Sequence, residues 1–132
     1  MPYMDGFVIA VPTANKQAFI DHANAIDAFF LDFGATRVVE CWGDDVPHGK
    51  LTDFYGAVQA KPDESIVFSW VEWPDKATRD AAMVKFETLM QTDPRFDPKQ
   101  NPPPYDGKRM IFGGFQSLVI FGAGADAGAK NG

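Results

Sequence analysis

With 132 residues the chain is long enough for one well-packed domain and too short for two ordinary ones, and its hydrophobic fraction of 45% excludes disorder over most of its length. A formal charge of −6 argues against nucleic acid as a partner, because non-specific binding of that kind runs on Lys and Arg contacts to phosphate. One cysteine cannot close an intramolecular disulfide, and no stretch approaches the roughly 20 apolar residues of a membrane span, so the expected setting is cytoplasmic, with no membrane contact.

Tyr3 to Val11 carries aromatic and β-branched residues and reads as the first strand, stopped by Pro12. Thr13 is placed to cap a helix whose apolar stripe, Phe19, Ala23, Ile26, Phe30 and Phe33, runs from about Ala14 to Phe33 and stops at Gly34. His22 flanks that stripe and is expected at its edge. Ala35 to Trp42 is the second strand, with Val39 and Cys41 on the face of Arg37, and Val38 and Trp42 on the face of Glu40. Cys41 reads as a small buried apolar residue.

An acidic turn follows, and Phe54 to Ala60 is expected to return as a short strand or strand extension. Ser65 to Trp73 carries the strongest strand signal, with Ile66, Phe68 and Trp70 on one face and Val67, Val71 and Trp73 on the other. Pro74 ends it, and Asp75 caps a second helix from Lys76 to Gln91 that Asp93-Pro94 terminates. After a proline-rich loop, Met110 to Phe121 is the last strand, where Gly113-Gly114 signals a bulge or a close backbone approach. Residues 1–121 then form one domain, and the Gly/Ala-rich tail 122–132 is expected to be disordered.

The order β-α-β-β-α-β suits an α+β, ferredoxin-like sheet with both helices on one face. Two helices cover only one side, yet the strands carry large apolar residues on both. A second copy packed sheet to sheet would bury the rest, which predicts a homodimer with a barrel-like centre.

Several segments together carry a family resemblance: Tyr3-Met4-Asp5-Gly6-Phe7, Gly34-Ala35-Thr36-Arg37-Val38-Val39-Glu40, Gly43-Asp44-Asp45-Val46-Pro47-His48-Gly49-Lys50, Phe68-Ser69-Trp70, Asp93-Pro94-Arg95, and Tyr105 to Phe115. Over about residues 1 to 120 the chain resembles the YbaA-like family of uncharacterised bacterial proteins. The resemblance implies a dimeric α/β-barrel fold and brings no catalytic residues.

Candidate chemistry centres on residues 40–53. Glu40, Asp44, Asp45, His48 and Asp53 offer carboxylates and one imidazole, but no paired-His, paired-Cys or calcium-loop spacing, so no bound metal is expected and a solvated acidic turn is favoured. Gly49-Lys50 lacks the upstream glycine of a phosphate loop, since Asp44 stands there. Arg37, Arg95, Lys108 and Arg109, with Trp70, are the candidate ligand contacts, against the plainer expectation that the cations pair with nearby acids.

The favoured function is a homodimer binding a small, partly apolar or anionic ligand in a cleft beside the sheet. The alternative is an enzyme without an organic cofactor, oxygenase- or isomerase-like, with His48, Asp45, Asp44 or Glu40 as its acid/base groups.

Overall fold

The computed structural model describes residues 1–122, so the expectation for the tail falls, beyond Gly122, outside the described residues. Its elements are β1 (Tyr3–Pro12), α1 (Lys16–Asp32), β2 (Arg37–Trp42), α2 (Phe54–Ala57), β3 (Glu64–Trp73), α3 (Lys76–Thr92) and β4 (Ile111–Gln116). The strands form one antiparallel sheet in the order β2-β3-β1-β4, which is the ferredoxin-like arrangement. Among the described residues no helix is long and apolar enough to cross a membrane.

Strand alternation sorts the sheet into two faces. Tyr3, Asp5, Phe7, Ile9 and Val11 of β1 align with Trp73, Val71, Ser69, Val67 and Ser65 of β3 on the helix-covered face. There Phe30 of α1 and Phe86 of α3 meet with ring centroids 4.6 Å apart above the fully buried Trp73, so aromatic packing locks both helices to the sheet. Two polar side chains, Asp5 and Ser69, are buried in this layer. Asp5 accepts from Trp73 Nε1 at 2.9 Å and from Arg79 Nη2 at 2.8 Å, which ties β1, β3 and α3 together.

The other face is open. Phe68, Ile111 and Phe115 are exposed there beside Met4, Val8 and Trp70, and they line an apolar groove of 440 Å³. Cys41 also points to this side and is exposed, contrary to expectation, because β2 is an edge strand with nothing over its outer face.

Local chemistry explains the element ends. Asp75 caps α3 by accepting from Thr78 N at 2.7 Å. Gly34 ends α1 at φ +109°, and a Cβ there would lie 2.7 Å from Thr78 Cγ2. Thr13 does not cap α1: its hydroxyl bonds that of Ser65 at 2.7 Å, and a 3-10 turn, Thr13–Asn15, leads into the helix. Phe54 to Ala60 is not a strand. Asp53 accepts from Gly56 N at 2.6 Å and folds Phe54–Ala57 into the single turn α2, so a cap outweighs the strand propensity of Phe54 and Tyr55. β4 stops at Gln116 instead of Phe121 because Tyr3, its partner there, is where β1 begins. Gly113 and Gly114 pair in unbroken register, without a bulge. Gly114 is the close approach, since a Cβ would sit within 3 Å of the Tyr3 ring.

Candidate functional site

Glu40 is the acid that strand alternation sends toward the helices, between Val38 and Trp42 and in register with Ser69 of β3. The residue is exposed overall because β2 is an edge, yet its carboxyl turns into a crevice under α1. Asp27 meets it from above. Asp27 follows Ile26 in the apolar stripe of α1 and lies one helical turn after Ala23, so it is carried to the margin of the covered face. Tyr105 closes the inner end from the proline-rich loop, its ring 6.0 Å from Phe19 and edge-on to His22 at 5.9 Å. Asn15 Nδ2 holds that loop by donating to Pro104 O at 3.0 Å.

Asp27 and Glu40 line two adjacent spaces. Inward is a cavity of 140 Å³ between Phe7, Phe30, His22, Ser69, Tyr105 and Met110. Outward is a crevice of 600 Å³ flanked by Lys16, Ile20, Leu31 and Trp42.

The electrostatics set this pair apart. Every fully buried acid among the described residues has an arginine: Asp5 has Arg79, and Glu64 accepts from Arg109 at 2.6 and 2.7 Å. Among the described residues no cation lies within salt-bridge distance of Asp27 or Glu40, and the two face one another. Burial pushes both carboxyls above the usual range; for Glu40 the negative charge of Asp27 pushes further, while a hydrogen bond from Ser69 partly offsets it. Two carboxyls so placed share a proton, and the steps of their titration belong to the pair. Burial also raises Tyr105, with help from Glu40 and Asp27, and lowers His22, leaving a neutral imidazole at neutral pH. The Nδ1 atom of His22 is buried and has no hydrogen-bond partner among the described residues. His22 therefore faces the cavity, not the outer edge of the helix as expected.

The remaining sequence candidates are dispersed. Asp44 and Asp45 are exposed. His48 is 79% exposed at its side chain, stacked on Tyr55 at 4.4 Å and 3.6 Å from Asp53, whose carboxylate is occupied by the amides of Gly49 and Gly56. Among the described residues no three His, Cys, Asp or Glu side chains converge as a metal site. Arg37 pairs with Glu72 at 3.4 Å at the sheet edge, where Trp70 Nε1 donates to the same carboxylate. Arg95 pairs with Asp93 at 2.7 Å and lies over Phe29. Arg109 is held by Glu64 and Asp106, and Lys108 is exposed. These cations occupy separate ion pairs or open surface and do not gather into one anion pocket. Trp70 belongs to the open sheet face instead of the crevice.

Residues 2–107 match the family model described as protein of unknown function, DUF1428. The chain belongs to this family. It is 50% identical over 119 residues to uncharacterized protein YbaA of Escherichia coli K12 and, equally, of Shigella flexneri, covering 90% of this chain and 98% of each relative. Among solved structures, a dimeric ferredoxin-like protein from an uncultured marine organism superposes with a TM-score of 0.51 at 16% identity. That match covers 93% of this chain and all of the other, and it establishes the likeness of fold.

Proposed function

We propose that the protein is a homodimeric small-molecule-binding protein, folded over residues 1–121, whose ligand occupies the crevice between α1 and the sheet. The observation that carries this reading is the Asp27–Glu40 pair, two desolvated carboxyls without a counter-charge among the described residues, where a small cavity adjoins a crevice. Leaving polar groups so placed costs folding free energy, which fits a site built for something other than stability. The crevice presents an apolar body and a few convergent polar groups, the usual make-up of a small-ligand pocket. Its polar groups are acids and their neighbours, which favours the partly apolar ligand over the anionic one.

Dimerisation is the second half of the proposal. The groove on the open face is almost wholly apolar, with Phe68 46% and Phe115 60% exposed, and a second copy of the same face would bury it. A fold relative described as dimeric supports this arrangement. A cytoplasmic setting fits a chain whose single cysteine is exposed and free.

Proton sharing between Asp27 and Glu40 supports a second reading, an enzyme without an organic cofactor in which the pair supplies acid and base. Of the acids expected in that role, Glu40 alone is in the crevice. The test is a fragment screen followed by amide NMR, together with sedimentation. Fragments shifting Ala23, Asp27, Glu40 and Tyr105 in a sedimenting dimer support the proposal. Fragments that collect only on the Phe68–Phe115 face of a monomer would sink it.

A further inference from the structure

We infer that the crevice selects a compact organic cation, an ammonium group carried on a small apolar body, with Asp27 and Glu40 as the paired acceptors of its N–H donors. The inference deepens the small-molecule reading above and rests on it.

The first argument is charge accounting. Asp5 and Glu64 show how this fold stabilises a buried acid, with an arginine delivered from a neighbouring element. Beneath α1 the described residues supply no such partner, although Lys16 stands at the mouth of the same crevice. Its ammonium lies 5.6 Å over the Trp42 ring and not on the carboxyls. The acceptor pair is thus open to a cation arriving from outside, and the aromatic wall beside it already carries an ammonium on its face.

The second argument is the donor set. His22 Nδ1 is buried, has no partner among the described residues and is part of a neutral ring, so in the Nε2–H tautomer it is one more acceptor. Two carboxyl groups, an imidazole nitrogen and the Ser69 and Tyr105 hydroxyls suit an N–H donor with a positive charge. An anion would meet two carboxyls at once. A divalent metal requires more converging oxygen or nitrogen ligands than the described residues bring together.

Size is the third argument. The inner cavity of 140 Å³ is close to the volume that holds a benzene-sized body, and its walls are Phe7, Phe30 and Met110. An apolar group fits there with its ammonium at the Asp27–Glu40 junction.

The experiment is an amide NMR titration of the full chain with benzylamine and butylamine against benzyl alcohol and butanol. The comparison is repeated in the double variant Asp27→Asn/Glu40→Gln, which keeps volume and hydrogen-bonding atoms while removing charge. Amines are expected to bind about tenfold or more tightly than the alcohols of the same shape and to lose that advantage in the double variant. Affinity for the amines should rise as pH climbs from about 6 to about 8, as the pair gives up its protons. The groups facing the pair are Lys16 and His22 from α1 and Tyr105 from the loop, and a single Glu40→Gln variant assigns the pH response to the pair. That single variant also serves if the double one fails to fold.

Alcohols binding as well as amines, or amine binding unchanged in the variants, would overturn the cation inference and leave the crevice as a ligand site. If no probe moves the crevice residues, the small-molecule reading falls with it.

Discussion

Raising the pH from 7 to 9 should destabilise this protein, and Glu40 should be the reason. Its folded carboxyl loses its proton at about 8, against an ordinary value of 4.5. Near neutrality the native state therefore holds a proton that the unfolded chain has already released. Stability falls wherever the native state binds the extra proton, so this contribution is lost as pH rises through 8. Between pH 7 and 9 the loss has a ceiling of roughly 1.4 kcal/mol, one proton over one decade of binding. Glu40 is exposed along the edge of β2, and solvent screening lowers the expected loss to about 0.5–1 kcal/mol.

His22 works in the opposite sense. Its lowered value makes stability rise with pH up to about its ordinary 6.5, and that gain is nearly complete by pH 7. The window above pH 7 therefore isolates the carboxyl pair. Urea unfolding at pH 7, 8 and 9, at fixed protein concentration, is the assay. Wild type should lose stability across the series while Glu40→Gln stays flat. A wild-type curve that is flat or rising, or a variant with the same slope, would refute the reasoning.

Other perturbations separate the structural parts from the site. Asp5→Ala leaves Arg79 and Trp73 Nε1 without their acceptor and should cost about 3–5 kcal/mol in urea unfolding. Gly34→Ala forces a left-handed backbone and a Cβ against Thr78, at a cost of about 1–3 kcal/mol by the same measurement. Phe115→Asp places a charge on the open sheet face and should convert the proposed dimer to a folded monomer in sedimentation, with its near-ultraviolet dichroism retained. His48→Ala removes an exposed ring outside the crevice, so its stability should change by no more than about 0.5 kcal/mol, with amine binding unaltered.

Much of the fold was legible because its periodicities are strong and mutually consistent. Alternation in Ser65–Trp73 sorted the two faces of β3 correctly, aromatic and β-branched residues marked Tyr3–Val11 as a strand, and the i, i+3, i+4 recurrence from Phe19 to Phe33 located α1. The errors fall where one side-chain hydrogen bond or the reach of a partner strand outweighs local preference. Asp53 bonding Gly56 N makes a helical turn of a strand-like segment. β4 ends early because β1 has no residues left to pair with it.

The site was only half legible. Glu40 was a candidate as one of the acids of residues 40–53, but its partner was not, because Asp27 sits one position off an apolar stripe where an acid ordinarily reaches solvent. The conspicuous loop acids, Asp44 and Asp45, and His48 misled, since closeness along the chain is not convergence in space.

The order of apolar and polar residues along the chain was enough to specify the elements, their faces and an apolar surface too large for two helices to cover. Hydrophobic burial depends on pattern, and pattern is written in one dimension. Which acids meet and which go without a cation depended on α1 crossing the sheet at one height, bringing Asp27 over Glu40 while Arg79 reached Asp5 and Arg109 reached Glu64. Charge interactions act over a few ångströms between groups far apart in sequence, so they exist only once the chain has packed.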